Sequence, residues 1–253
     1  MLQVCLNGSR ATSDCPWVPV SAEDLAAEAC RAVDAGAEDI HLHPKDADGR
    51  DTLDPAAVEE AVRAVRKSVG PHVRVGVTTG AWAEPDPRRR AALVRAWTTL
   101  PDHASVNWHE EGADLVAEAM AERGIGIEAG LYSGTDAVRT FASSPFADRV
   151  LRVLVEITGT AVGQAPGIGR RLTEEVAALT PAPVLLHGVD DTAWPVLETA
   201  VSLGVDTRVG LEDTLFLPGG APARGNAPLV RAARSLLQRH GSGGPTRPGA
   251  TQG

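Results

Sequence analysis

Eight short stretches rich in β-branched and other apolar residues recur along the chain, near residues 2–6, 38–43, 73–78, 104–108, 125–131, 150–156, 183–187 and 205–211. Segments of helical apolar spacing, rich in Ala, Leu, Glu and Arg, follow them, most clearly at 22–35, 55–68, 87–97, 112–123 and 226–239. Strands that alternate with helices need crossover connections and so build a parallel sheet. Eight such units within about 240 residues match a closed barrel, whereas a doubly wound sheet of this length more often holds about five to seven strands. The predicted fold is therefore α/β: a (β/α)8 TIM barrel forming a single domain over residues 1–240. Helix starts carry capping signals, with Asp24 following Ser21 and Pro55 following Asp54. Residues 157–168, rich in Gly and Pro, read as a loop after strand six. Residues 241–253 hold almost no apolar side chains and are expected to form a disordered tail.

Active sites of such barrels lie at the C-terminal ends of the strands. Polar residues gather there: Asn7 on strand one, His41 and His43 on strand two, Thr78 and Thr79 on strand three, and Ser105, Asn107 and His109 on strand four. Glu128 lies on strand five, Glu156 ends strand six, His187 ends strand seven, and Glu212 with Asp213 ends strand eight. Side chains alternate across a strand, so His41 and His43 face the same way and can share one metal. Taken alone, a His-x-His pair on a strand is more often incidental than a site; the surrounding polar strand ends strengthen it. A catalytic zinc takes three protein ligands and keeps one position open. The same alternation aligns Arg208, Gly210 and Glu212, and strand eight closes the barrel beside strand one. Glu212 is thus the expected third ligand, with His187 and Glu156 as alternatives.

The chain carries a formal net charge of -9, which argues against nucleic acid as a partner, since phosphate neutralisation needs a basic face. Hydrophobic residues make up 43% of its 253 positions, enough for one large core. Cys5, Cys15 and Cys30 are odd in number and lack Cys-x-x-Cys spacing, so no disulfide framework is implied. The N-terminal residues do not read as a signal sequence, and no apolar run reaches membrane-spanning length. The expectation is a soluble, cytoplasmic protein with no membrane partner.

The run from His41 through Pro44, Lys45 and Asp46 to Arg50, the Thr78-Thr79-Gly80 turn, Ser105-Val106-Asn107, and Arg208 through Asp213 followed by Asn226-Ala227-Pro228 resemble the β-keto acid cleavage enzymes, a family that includes 3-keto-5-aminohexanoate cleavage enzyme. The resemblance spans about Leu2 to Leu237, with its motifs in order. It implies a zinc-dependent TIM barrel, homo-oligomeric and tetrameric, that converts a β-keto acid and acetyl-CoA into acetoacetate and a new acyl-CoA. On the matching positions His41, His43 and Glu212 would hold the metal, and Arg208 with Asp213 would take a proton from the keto acid's α-carbon. Thr78, Thr79, Gly80, Ser105 and Asn107 would line the substrate; Asn7 and Arg10, at and just beyond the end of strand one, are further substrate-binding candidates from their place at the barrel mouth. Availability can place Mn²⁺ or Co²⁺ where zinc is preferred.

Two positions depart from the family pattern. Asn7-Gly8-Ser9-Arg10 stands where the aminohexanoate enzyme has Thr-Gly-Ala-Glu, so a cation replaces the carboxylate that meets a substrate amine. A neutral or doubly acidic keto acid is expected instead of an aminated one. The loop after strand six is shorter and lacks the family's long Gly-rich stretch, which weakens the case for CoA. The rival reading is a metal-dependent hydrolase of the amidohydrolase kind, and a metal-binding barrel without turnover is a third.

Simpler roles are expected for the remaining residues that stand out. Gly8, Gly80 and Gly210 fit tight turns, His109 a loop, and His187 a satisfied strand-end histidine. Glu110-Glu111 and Arg88-Arg89-Arg90 read as solvated charge. Trp17, Trp97 and Trp194 read as packing, while Trp82 and Trp108 lie in loops able to wall the site.

Overall fold

The computed structural model describes residues 1–241, and the remainder of the expected tail lies outside the described residues. The elements run β1 (Leu2–Cys5), α1 (Ala22–Asp34), β2 (Asp39–Leu42), α2 (Pro55–Val69), β3 (Arg74–Thr78), α3 (Pro87–Ala96), β4 (His103–Asn107), α4 (Ala113–Glu122), β5 (Gly126–Tyr132), α5 (Ala137–Ala142), β6 (Arg152–Ile157), α6 (Ala165–Leu179), β7 (Val184–Gly188), α7 (Ala193–Leu203), β8 (Thr207–Val209) and α8 (Asn226–Gly241). The strands are parallel in the order β7-β6-β5-β4-β3-β2-β1-β8. A single bridge, Leu185 to Asp206, joins the two ends into a (β/α)8 barrel. Among the described residues no helix is long and apolar enough to cross a membrane.

Local chemistry sets the helix starts. Ser21 and Asp24 form a capping box on α1, and Asp54 caps α2 with Pro55 in its first turn. Two expectations shift. The stretch expected as a loop after β6 gives way to α6 at Ala165, because Pro166 occupies the first turn, where its missing N–H is harmless. Strand eight is only Thr207–Val209, because the chain turns at Gly210, whose carbonyl accepts from the amides of Asp213 and Thr214.

Apolar residues pointing outward from the strands, such as Val4, Ile40, Leu42, Val75 and Val77, pack against the helices and form the main core. The barrel interior differs from the usual layers of branched aliphatics. Its lower storey is a buried network: Gln3 donates to Asp39 at 2.9 Å and to Glu128 at 3.3 Å, and His103 meets Asp39 at 2.9 Å. Arg152 donates to Glu128 at 2.6 Å and to both Asp39 oxygens at 3.0 Å. These bonds tie β1, β2, β4, β5 and β6 across the barrel axis. Gly76 leaves room for them, since a Cβ there would fall 2.0 Å from the His103 ring. Glu128, grouped with the strand ends in the sequence, belongs to this floor and not to the mouth.

Removing one partner of a buried ion pair strands the others. Arg152→Met should therefore destabilise the protein by about 3–5 kcal/mol, read as a lowered urea midpoint at unchanged slope. Burial opposes the Asp39 carboxylate, but His103 and Arg152 outweigh it and hold its pKa below the usual range. A depressed carboxylate contributes stability above its unfolded pKa of about 3.9 and loses that contribution as the pH falls further. Chemical denaturation followed from pH 6 downward should show this loss beginning near about pH 4.

Candidate active site

His41, at 1% exposure, and His43, at 3%, rise from the end of β2 into the upper storey of the barrel. Glu212 reaches them from the turn after β8: its Oε2 lies 3.8 Å from His41 Nε2 and 3.7 Å from His43 Nε2. These three residues form the metal-capable group, with one donor atom from each inside a 4.8 Å cluster. The Glu212 oxygen that faces both rings is buried and has no hydrogen-bond partner. Donors sharing a tetrahedral zinc at about 2.0–2.1 Å stand roughly 3.3–3.5 Å apart, close to the spacing seen here. Burial, together with His43 and Arg208, lowers the His41 pKa to about 4, so its imidazole is neutral and fit to ligate at pH 7. Burial works against the Glu212 carboxylate, yet Arg208 and the two histidines hold it well below the usual range. The site fits a divalent cation through Glu212, and neither Glu156 nor His187 joins the group.

Sequence reasoning missed the residue that orients His43. Asp51 Oδ2 meets His43 Nδ1 at 2.8 Å, leaving Nε2 to face Glu212. The same oxygen accepts from Ser9 Oγ at 2.7 Å and Trp82 Nε1 at 2.7 Å, and Oδ1 accepts from Lys45 Nζ at 2.5 Å. Lys45 also donates to the Gly8 carbonyl at 2.6 Å. Trp82 lies parallel to the His43 ring, with centroids 5.9 Å apart, and covers Gly80, where a Cβ would come within 2.3 Å of the indole. A carboxylate behind a ligating histidine fixes its tautomer and raises its basicity. The antiparallel bridge between Lys45 and Asp51 closes the Asp46–Arg50 turn and brings this carboxylate back to the barrel; nothing in the local pattern of charges marks it out beforehand.

Arg208 is the hub of the β8 side. Its Nη2 donates to Glu212 Oε1 at 2.8 Å and to Asp213 Oδ1 at 2.9 Å, and its Nε reaches Asp213 Oδ1 at 3.1 Å and His187 Nδ1 at 3.2 Å. Asp213 is buried, with Oδ2 unpartnered. His187 Nε2 faces Glu156 Oε2 at 3.4 Å, and Glu156 pairs in register with Tyr132. Burial and then Glu156 push the Tyr132 phenol well above its ordinary pKa, keeping it a donor. His187 is thus no isolated strand-end residue, and Tyr132, unremarked in the sequence, faces the site.

The other expected substrate residues divide. Thr78, Ser105 and Asn107 occupy inward positions on β3 and β4 below the mouth, all buried. Asn107 is held by Glu110 Oε1 at 2.9 Å. Thr79 donates to the Ser105 carbonyl at 2.6 Å, so its hydroxyl braces β4. Asn7 exchanges both of its amide groups with the His43 main chain at 2.9 Å, which positions a ligand and leaves little for a substrate. Arg10 overhangs the mouth but bonds the Glu212 carbonyl at 3.2 Å and Asp190 at 2.5 Å. Arg90 and Glu110 are not solvated: Arg90 is buried, donates to Glu110 at 2.8 Å and caps the Glu111 carbonyl. Trp108 packs edge-on against Phe141 outside the barrel and does not wall the site. His109 instead contacts Tyr132, with ring centroids 4.4 Å apart.

The sequence profile of the beta-keto acid cleavage enzyme family matches residues 1–246. A Paraburkholderia graminis protein named 3,5-dioxohexanoate:acetyl-CoA acetone transferase is 25% identical over 88% of this chain and 84% of its own length. The 3-keto-5-aminohexanoate cleavage enzyme of Acetoanaerobium sticklandii is 24% identical over 95% of this chain and 92% of its own. Among solved structures, the ternary complex of ObcA with a C4-CoA adduct and oxalate superposes with a TM-score of 0.74 at 21% identity, covering 89% of this chain and 65% of that one. A type I 3-dehydroquinate dehydratase from Clostridium difficile gives 0.62 at 11% identity, covering 95% and 92%. At these identities the solved structures show the shared fold alone.

Asp51→Asn keeps the size of the side chain and removes the charge that orients His43. It should weaken the affinity of the group for an added divalent metal about 10–100-fold while the fold persists, as measured by competition for added Zn²⁺ with a chromogenic chelator.

Proposed function

Because the chain belongs to the beta-keto acid cleavage enzyme family, we propose that it converts a β-keto acid and acetyl-CoA into acetoacetate and a new acyl-CoA. One observation carries this reading: the Arg208 guanidinium holds both Glu212 of the metal-capable group and its neighbour Asp213, so a ligand and a base share one anchor. His41, His43 and Glu212 would hold a divalent ion, zinc by donor type, with Mn²⁺ or Co²⁺ as substitutes. Such an ion supplies Lewis-acid stabilisation to the oxygens of a β-keto acid.

Asp213 is the general base. Its Oδ1 is committed to Arg208, and its buried Oδ2 takes the proton from the keto acid's α-carbon. Burial opposes the charge on Arg208, but Asp213 and Glu212 raise its pKa further, so the guanidinium remains a fixed cation beside the base. The resulting carbanion adds to the acetyl thioester carbonyl and expels CoA thiolate; the thiolate then adds to the original keto carbon, and cleavage of the bond between that carbon and the α-carbon releases the new acyl-CoA and the acetoacetate enolate, which takes its proton back from Asp213. Thr78, Ser105 and Asn107 face the keto acid, and Gly80 gives the chain room to turn beneath Trp82.

Acetyl-CoA as co-substrate is supported by the name of the Paraburkholderia relative, which also specifies an unaminated keto acid. That fits the loss of the family's carboxylate at Arg10. The Asp190 partner offsets the Arg10 charge, which favours a neutral far end over a second acid. The family match and the placement of the histidine pair on β2 leave the amidohydrolase reading without support.

A panel of β-keto acids assayed with and without acetyl-CoA tests the reaction: acetoacetate should form only with both, and most readily from an unaminated acid. Asp213→Asn should lower the rate by about two or more orders of magnitude with zinc content unchanged. His41→Ala combined with His43→Ala should abolish both metal content and turnover. Normal turnover in Asp213→Asn would place the base elsewhere.

A further inference from the structure

The proposed base sits at the weakest seam of the barrel. Between β7 and β8 the backbone contributes one bridge, with Leu186 N donating to the Asp206 carbonyl at 2.9 Å and Asp206 N to the Val184 carbonyl at 3.1 Å. Above that level, toward the mouth, side chains take over. Thr207 Oγ1 donates to the Leu186 carbonyl at 2.8 Å and Arg208 Nε to His187 Nδ1 at 3.2 Å; past the strand ends one main-chain bond remains, from the Asp190 amide to the Asp213 carbonyl at 2.6 Å. Arg208 and Asp213 are therefore not held in place by a continuous ladder.

We infer that Glu156 and His187 are positioning residues for the Arg208–Asp213 pair, Glu156 fixing the His187 ring and His187 fixing the guanidinium, so that Asp213 presents Oδ2 to the substrate. The inference rests on the reading of Asp213 as the base. The chemistry of the ring carries the chain of contacts. Arg208 Nε can only donate, so it engages the Nδ1 lone pair of a neutral His187 while sharing its hydrogen with Asp213 Oδ1. A doubly protonated ring instead directs Nδ1–H at Asp213 Oδ1, 3.3 Å away. Both forms carry a proton on Nε2, which forms no hydrogen bond at its present position but has Glu156 Oε2 as a charged neighbour at 3.4 Å. The form lacking that proton would set a lone pair against a carboxylate. Glu156 thus excludes one tautomer and the ring flip that would accompany it, while Tyr132, paired with it in register, supports it from β5. The orphaned Asp213 Oδ2 is the product of this arrangement: everything that can donate is gathered on Oδ1.

Four variants and one spectrum test the chain of contacts. Glu156→Ala frees His187, and His187→Asn places an amide near the Nδ1 position while breaking the link to Glu156. Each should lower kcat about 10–100-fold with KM and zinc content unchanged. The double variant should cost no more than either alone, since both act on the same pair. Glu156→Gln, whose amide oxygen can still face Nε2–H, should recover most of the rate. Imidazole ¹⁵N NMR of the purified zinc protein, with His187 assigned by its loss in His187→Asn, should show a protonated Nε2 in the wild type and a tautomer mixture in Glu156→Ala. That spectrum needs no turnover. A wild type inactive on every keto acid defeats the proposed reaction, yet the spectrum still decides the clamp. Additive losses in the double variant overturn the inference. So does a Glu156→Gln protein as impaired as Glu156→Ala with raised KM, which would place Glu156 on the substrate. An unchanged spectrum in Glu156→Ala also overturns it.

Discussion

The turn after β8 lies directly on the end of β1, and the geometry of the barrel mouth depends on that contact. A Cβ at Gly210 would fall 1.9 Å from the Cys5 carbonyl oxygen, so no other residue permits the approach without moving a strand. On the facing side Gly8 has a φ of +56°, and a Cβ there would come within 2.4 Å of the Glu212 side chain. The two glycines let the Glu212 carboxylate drop beside His41 and His43. Its amide is then tied to the Cys5 carbonyl at 3.3 Å, and Asn7, one step beyond Gly210's partner strand, fixes His43 from the same end of β1. His41, His43 and Glu212, from opposite ends of the sequence, meet because the turn after β8 presents a glycine, not a side chain, where it closes on strand one.

Charge is arranged on two levels. In the floor, Arg152 sits between Asp39 and Glu128 with His103 alongside, so that the buried acids are each met by a donor and none faces water. Polar groups in place of aliphatic layers stabilise less than a dry core does; here His103 Nδ1 and Glu128 Oε2, 3.6 Å apart, are left without hydrogen bonds, and the rest of the network ties the strands together. At the mouth the balance is different. Glu212, Asp213, Asp51 and Glu156 outnumber Arg208 and Lys45, and His41 is held neutral. A buried site with surplus negative charge and an orphaned carboxylate oxygen on Glu212 favours a cation there. The floor below ties β1, β2 and β6 to one another.

The repeating strands and helices made the barrel legible, because period and length together leave few architectures; the five clearest helices begin and end within two residues of their expected bounds. The metal group was legible for the same reason. Alternation puts His41 and His43 on one face, and closure puts strand eight near strand two. That argument reached Glu212 although β8 ends at Val209, since the tight turn at Gly210 returns the side chain to the same place. Interactions that depend on long-range placement were not legible. Asp51 lies in a surface-like run of Asp, Gly and Arg, Tyr132 is an ordinary strand aromatic, and Arg90 sits in a triplet of arginines of which only its neighbours are exposed. Each acquires its role from what another strand brings alongside it, and no local spacing encodes that.

Arg10 shows how a departure from a family pattern changes meaning once its partners are visible. In the sequence it stands as a selector, a cation where relatives recognise an amine. In the fold its guanidinium bonds the Glu212 carbonyl and Asp190, while the Asp190 amide bonds the Asp213 carbonyl at 2.6 Å. Arg10 therefore straps the loop after β1 to the turn that bears Glu212 and Asp213. Its charge is offset by Asp190, which is largely exposed and screened by solvent, so under the proposed reaction Arg10 would act on specificity mainly through the missing anion. Any substitution of Arg10 then perturbs Glu212 together with substrate preference, and an altered preference is attributable to charge at the mouth only where zinc affinity stays constant.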